Sequence, residues 1–188
     1  MNDEVFDVLD EQLALARSGE RSALAALVHA HQRSVYSLAL RMLGTRDLAE
    51  DLTQEVFMQL SGNLATIESN RHLGFWLRQV TSNRAIDQLR RRAKVQMTSL
   101  DDEAPLFSDE AQPDHLLQRH LRALLSELSA PARAVLLLRF QEDLDPIEIA
   151  ATLSMPLNTV KSHLKRSLDT MRIKTAALQA VRCEDNSP

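Results

Sequence analysis

Residues 145–166 read DPIEIAATLSMPLNTVKSHLKR, and this stretch decides the fold of the C-terminal half of the chain. Asp145 is a favourable N-cap, Pro146 suits the first position of a helix and Glu148 completes a capping box, so a short helix is predicted to begin here. Pro156 prevents that helix from continuing. A second helix follows directly. Two short helices joined by a tight turn are typical of a helix-turn-helix.

The second helix is predicted to be capped by Asn158 or Thr159 and to present a polar, basic face outward. In a helix-turn-helix the N-terminal half of this helix enters the major groove, where Ser, Thr and Arg reach base edges and Lys neutralises phosphates. Residues 157–174 hold five basic residues against one acidic residue, a net charge of +4. The alternative is the solvated face of an ordinary helical hairpin. We call the outward residues the recognition face: Thr159, Lys161, Ser162, His163, Lys165 and Arg166.

The N-terminal half is also predicted to be helical, because its apolar residues recur every three or four positions. The pattern predicts a short helix around residues 5–13 and longer helices over residues 20–43, 47–62 and about 72–94. The last of these is apolar on two faces, so it is packed on two sides or packed on one side and bound on the other.

Helix ends are predicted from glycines and from one acidic pair. Asp47, followed three residues later by Glu50, predicts a capping-box-like start. Each glycine is expected to close a helix as a C-terminal stop. The four glycines are Gly19, Gly44, Gly62 and Gly74.

Composition excludes several classes of function. The 188 residues are 44% hydrophobic, enough for a core. Aromatic residues make up only 4%, and glycine (4) and proline (6) are scarce, which favours helices. Cys183 is the single cysteine, so an intrachain disulfide and a cysteine-based zinc cluster are excluded. Metalloprotease, phosphate-loop and nucleophile-elbow motifs are absent, so neither an enzyme nor a metal or cofactor site is expected. Without a signal peptide or a membrane-spanning run, the protein is expected to be cytoplasmic.

Charge is distributed in blocks that the overall net charge of −4 conceals. Residues 78–94 carry +5, residues 99–114 carry −6 and contain two prolines, and residues 1–20 carry −5. The acidic stretch has no apolar periodicity, so it predicts a flexible linker. We therefore expect two small helical domains, residues 1–95 and 114–177, with a linker at 96–113 and a tail at 178–188.

The basic block at residues 78–94 has two interpretations. The arginines at its end could complement the helix dipole, or they could form a second DNA surface beside Trp76 and Asn83. Asn83 and Asp87 continue an apolar stripe as polar residues. They are either partly buried structural residues or part of that surface.

Three blocks of this sequence resemble the extracytoplasmic-function (group 4) sigma factors of the sigma-70 family. Residues 49–57 (AEDLTQEVF) resemble the polymerase-clamp-binding helix of region 2, and residues 75–92 resemble its promoter-melting helix. Residues 148–164 resemble the helix-turn-helix of region 4. The resemblance covers about residues 8–175 and implies an all-α protein of two helical domains.

The resemblance implies a role for each block. The first domain would bind the clamp helices of the largest subunit of core RNA polymerase through Glu50, Asp51, Gln54 and Glu55. It would bind and open the minus-10 element through Asn63, Asn70, Trp76, Asn83, Arg84, Arg90 and Arg91. The second domain would bind the flap of the second-largest subunit and read the minus-35 element of promoter DNA with the recognition face.

The resemblance further implies a partner that restrains the protein. Family members are commonly held inactive by an anti-sigma factor, often a membrane protein, that covers the polymerase-binding faces. The alternative is a helix-turn-helix transcriptional regulator that binds DNA without polymerase. The first domain shows no receiver-like alternation of strands, which such a regulator often carries.

Overall fold

The computed structural model describes residues 3–98 and 115–184, and the side chains of residues 8–94 and 119–175. Within these ranges the regular structure is helical and contains no strand, so the predicted all-α fold is confirmed. Two compact units divide the chain, one holding α1–α4 and the other α5–α8. The helices are α1 (Asp3–Arg17), α2 (Arg21–Leu43), α3 (Arg46–Asn63), α4 (Asn70–Thr98), α5 (His115–Ser126), α6 (Ala130–Phe140), α7 (Pro146–Leu153) and α8 (Leu157–Glu184).

The predicted linker at 96–113 and the predicted tail at 178–188 each overlap the end of a helix. Helix α4 continues to Thr98, and the rest of the predicted linker lies outside the described residues. Helix α8 continues to Glu184, so most of the predicted tail is helical. Residues 185–188 lie outside the described part of the chain.

Helix α2 is the centre of the first unit, because α1, α3 and α4 all pack against it. Its side chains Leu27, Leu38 and Met42 are at most 1% exposed. Leu60 of α3 and Leu73 of α4 are fully buried in the same core. These residues belong to the apolar pattern that recurs every three or four positions in the sequence, so the helices predicted from that pattern are confirmed.

Two of the four glycines end helices as predicted, and two do not. Gly19 and Gly44 adopt φ values of 96° and 83°, the left-handed geometry that follows a helix end. Gly62 lies inside α3, one residue before its end. Gly74 lies inside α4, so its prediction as a helix stop is wrong. The helix continues there because Leu73 and Leu77 on either side are buried, and this packing outweighs the weak helix propensity of glycine.

The predicted capping box at the start of α3 is also wrong. The helix begins at Arg46, and Thr45 occupies the N-cap position without a side-chain hydrogen bond to the helix. Asp47 therefore lies in the first turn instead of at the cap. Its negative charge still stabilises the N-terminal end of the helix, because it interacts favourably with the helix dipole.

Helix α6 forms the centre of the second unit, where it packs against α7 and α8. Ala134, Val135 and Leu138 are fully buried. Arg133 is also buried, and it donates hydrogen bonds from Nε to the carbonyl of Leu125 at 2.8 Å and from Nη2 to that of Ser126 at 2.9 Å. Burial lowers the pKa of Arg133, but a guanidinium stays charged at neutral pH. The Arg133 guanidinium thus supplies hydrogen-bond donors to the last carbonyls of α5, which have no partner within that helix.

Candidate nucleic-acid interface

The start of α7 contains the predicted capping box. One oxygen of Asp145 accepts hydrogen bonds from the backbone N–H of Ile147 at 2.7 Å and of Glu148 at 2.8 Å. The Glu148 carboxylate accepts the backbone N–H of Asp145 at 2.8 Å. Three backbone donors at the start of this helix are therefore satisfied, which fixes its first turn.

The turn between α7 and α8 differs in one detail from the prediction. Ser154 ends α7 in left-handed geometry with φ 52°, and α8 begins at Leu157 directly after Pro156. Asn158 and Thr159 therefore lie inside the helix, so their prediction as caps is wrong. Buried Ile149 on α7 and buried Val160 on α8 lie in the core of this unit. The helix-turn-helix itself is present.

The recognition face lies within the first ten residues of α8. His163 is half-buried, and Ser162 donates its hydroxyl to the carbonyl of Asn158 at 2.8 Å. Lys161, Lys165 and Arg166 form no ion pair with any acidic residue that the structure describes, so their charges are available to phosphates. Five residues of the face are exposed: Thr159, Lys161, Ser162, Lys165 and Arg166.

Helix α3 separates an apolar side from an acidic side. Leu52, Val56 and Leu60 face the core. Met58, at 66% exposure, lies two residues from Val56 and one turn beyond Gln54. Met58 was not among the residues predicted from the sequence, although its position between Val56 and Leu60, which are both buried, indicates that it faces outward. The opposite side, which we call the acidic face of α3, is exposed at Glu50, Asp51, Gln54 and Glu55.

Helix α4 carries the candidate minus-10 residues. Trp76, Asn83 and Arg90 are seven residues apart, so they lie on nearly one face of the helix. Trp76 and Asn83 are half-buried, and Arg90 is exposed. Asp87 is 63% exposed, so the interpretation of this residue as a buried structural one is wrong; it lies 3.7 Å from Arg90.

A groove runs between α3 and α4 and is lined by polar side chains from both helices. Arg84, from α4, spans it. Its Nη1 lies 2.9 Å from a carboxylate oxygen of Glu55, and its Nε and Nη2 donate to the side-chain oxygen of Gln59 at 3.0 and 2.8 Å. We call this arrangement the Arg84 bridge. The remaining lining includes Gln79, Asn83, Asp87, Gln88 and Arg91.

Two further candidates lie around the segment that connects α3 to α4. The side-chain amide of Asn63 donates to the carbonyl of Gln59 at 2.8 Å. Asn70, at 4% exposure, bonds to His31 Nε2 at 2.8 Å through its side-chain oxygen, and its backbone N–H donates to the Asp10 carboxylate. Asn70 thus holds the start of α4 against α1 and α2, and its buried side chain is engaged within the first unit.

His31 is held neutral by this environment. Burial lowers the pKa of the imidazole, and the nearby Arg78 lowers it further, while the hydrogen bond to Asn70 opposes the shift. Since the side-chain oxygen of Asn70 is an acceptor, the neutral ring carries its proton on Nε2.

The described residues contain no group of three or more His, Cys, Asp and Glu side chains arranged to hold a metal ion. Across the same residues, every helix is too short or too polar to cross a membrane.

Each of the two units matches a known protein family. The family model of sigma-70 region 2 matches residues 27–95, and that of sigma-70 region 4 matches residues 118–171. The chain is 33% identical over 174 residues to the ECF RNA polymerase sigma factor SigE of Mycolicibacterium smegmatis, covering 89% of this chain and 65% of that protein. It is 30% identical over 154 residues to the RNA polymerase sigma factor SigV of Bacillus subtilis, covering 82% and 92%.

A solved structure has the same fold. It is the sigma factor RpoE of Bartonella quintana in complex with the anti-sigma factor NepR, which superposes with a TM-score of 0.64 at 22% identity. The match covers 77% of this chain and 91% of that one.

Proposed function

Because this chain belongs to the extracytoplasmic-function RNA polymerase sigma factors of the sigma-70 family, and so is a promoter-specific initiation factor and not an enzyme, we propose how its surfaces divide that work. The acidic face of α3 binds the clamp helices of the largest polymerase subunit. Helix α4 binds the minus-10 element, and the recognition face reads the minus-35 element. The observation that carries the proposal is the exposed basic face of α8, which has no ion pair among the described residues and follows an α7 whose start has a complete capping box.

The assignment of α3 is supported by the exposure of all four residues of its acidic face on the side opposite the buried stripe. A double charge reversal, Asp51→Arg with Glu55→Arg, is expected to weaken binding to purified core polymerase while the helical content stays unchanged. The matched control reverses two exposed carboxylates elsewhere in the same unit, Glu11→Arg with Glu68→Arg. Equal loss of core binding in both variants would reject the assignment of α3.

The assignment of α4 is supported by Trp76, Asn83 and Arg90 on nearly one face and by the basic block around them. An aromatic ring can stack on a base that is unpaired during melting, and arginines neutralise the phosphates beside it. We also include Arg84 and Arg91, which line the adjoining groove. Asn63 is included as the last residue of α3, where the chain leads toward α4.

The assignment of α8 is tested with two arginines of the same helix. Arg166→Ala is expected to lower transcription from a minus-35-dependent promoter at least about 5-fold, the scale of one lost base or phosphate contact. Arg172→Ala removes the same charge from an exposed position beyond the recognition face and is expected to change transcription little. Equal effects of the two substitutions would reject a specific role for Arg166.

Run-off transcription separates this function from that of a helix-turn-helix regulator acting alone. Transcription starts mapped after overexpression supply the promoter. Purified chain added to core polymerase is expected to start transcription there, and the chain alone is expected to shift the same duplex poorly at physiological salt. Tight, specific duplex binding without polymerase would favour the stand-alone regulator.

We propose that the flap of the second-largest subunit binds the second unit, and that an anti-sigma factor restrains the chain by covering the acidic face of α3. The support is family membership and the likeness in fold to RpoE, whose structure contains an anti-sigma factor. The chain acts in the cytoplasm, where its template lies, or is held there at the membrane by the anti-sigma factor. A restraining partner of this kind is expected to compete with core polymerase for the chain.

A further inference from the structure

The Arg84 bridge joins two surfaces that are proposed to bind different partners. Glu55 belongs to the acidic face of α3, and Arg84 belongs to the DNA surface of α4. In the free chain, three hydrogen bonds occupy the guanidinium with Glu55 and Gln59. In the free chain, the Arg84 guanidinium is therefore bound to Glu55 and Gln59 and is not free to contact a DNA phosphate.

The bridge is exposed and so is weak enough to open. The Arg84 and Glu55 side chains are 44% and 58% exposed, and an ion pair of that kind contributes little to stability in water. A basic partner that takes the Glu55 carboxylate removes the only charge that the bridge offers to Arg84. The Gln59 oxygen then holds the guanidinium alone, against phosphates that carry full charge.

We infer that the Arg84 bridge couples polymerase binding to DNA binding, with Gln59 as a positioning residue that keeps Arg84 from DNA in the free chain. This inference rests on the proposed function of α3 and α4. When polymerase engages Glu55, Arg84 is released to the DNA backbone. Because coupling between two binding events is reciprocal, DNA bound through Arg84 also strengthens the hold on polymerase.

The first experiment measures phosphate contacts by the free chain. Binding to a labelled single-stranded oligonucleotide is followed over a range of salt concentrations, since each neutralised phosphate adds about 0.7 to the slope of log K against log salt. The release variant is Glu55→Gln with Gln59→Ala. The matched control, Glu50→Gln with Gln54→Ala, makes the same changes on the same helix without touching the bridge.

Only the release variant is expected to steepen the slope, by about 0.7, and adding Arg84→Ala should remove that increment. In the otherwise unchanged chain, Arg84→Ala should leave the slope as it is. An equal increment in the control, or a flatter slope for Arg84→Ala alone, would overturn the inference. Circular dichroism of each variant verifies that the helices are intact, so a folding defect is not mistaken for a lost contact.

The second experiment measures affinity for core polymerase without DNA. Arg84→Ala frees Glu55, so it should bind core about 1.5- to 5-fold more tightly, the range expected from an exposed ion pair. Arg91→Ala is the control, because it removes the same charge from the same groove without breaking the bridge. Equal affinities of the two variants would overturn the coupling. Absence of core binding by the unaltered chain would instead overturn the proposed function.

Discussion

The capping box of α7 gives the sharpest test of how the helix-turn-helix is held. Asp145→Ala removes the oxygen that accepts the N–H groups of Ile147 and Glu148. Loss of an N-cap side chain costs about 0.5–2 kcal/mol. Since two donors lose their acceptor together, we expect about 1–2 kcal/mol. Asp145→Asn keeps an acceptor oxygen and should cost only a few tenths of a kcal/mol.

Amide hydrogen exchange in the full chain measures this locally. Exchange of the α7 amides reports the free energy of opening that helix, so the alanine variant should exchange about 5- to 30-fold faster than the unaltered chain. The asparagine variant should remain close to the unaltered chain. Because both substitutions remove one negative charge, an electrostatic effect would move them together.

Equal protection of α7 in the alanine and asparagine variants would refute a role of the Asp145 side chain as the cap. A loss of protection spread evenly over α5 and α6 would refute it too, since the cap contacts only the first turn of α7. A loss confined to α7 should be accompanied by weaker minus-35-dependent transcription, because α7 holds the orientation of α8.

Four further substitutions test the stability of the two units by denaturant unfolding. Because burial lowers the pKa of His31, the unfolded chain binds the proton more readily, so the free energy of unfolding should fall as pH drops below about 6.5; His31→Gln should lose less stability between pH 7.5 and 5.5. Gly44→Ala should cost about 1–2 kcal/mol because φ is 83° there, whereas Gly62→Ala, inside a helix with open space around it, should not destabilise the first unit. Arg133→Met should destabilise the second unit by about 2–3 kcal/mol, since it leaves buried carbonyls at the end of α5 without their donor.

The helices could be predicted from the sequence where local signals and packing agree. The apolar stripe of α3 matches its buried positions, and the capping box at Asp145 starts α7 where expected. Prediction failed where packing outweighed a local preference. Gly74 has weak helix propensity, but burial of Leu73 and Leu77 carries the helix through it.

The candidate site could be predicted only one helix at a time. The recognition face of α8 follows from the spacing within a single helix, whereas the residues of the acidic face of α3 are expected from the family resemblance of residues 49–57. The contact between Glu55 and Arg84 joins residues 29 apart, and that between His31 and Asn70 joins residues 39 apart. Such pairs depend on how helices pack, which periodicity within one helix does not encode.

Charge explains why these surfaces would act together and poorly alone. The block at residues 78–94 carries +5, but in the free chain Arg84 is bonded to Glu55 and Arg90 lies beside Asp87. Duplex affinity depends on neutralising phosphates, so a chain with a net charge of −4 and two of these cations already beside carboxylates should bind DNA weakly. In the proposed function, polymerase binds the acidic face of α3 and thereby releases Arg84. It also presents the two basic surfaces as linked modules, so that the second DNA contact becomes intramolecular.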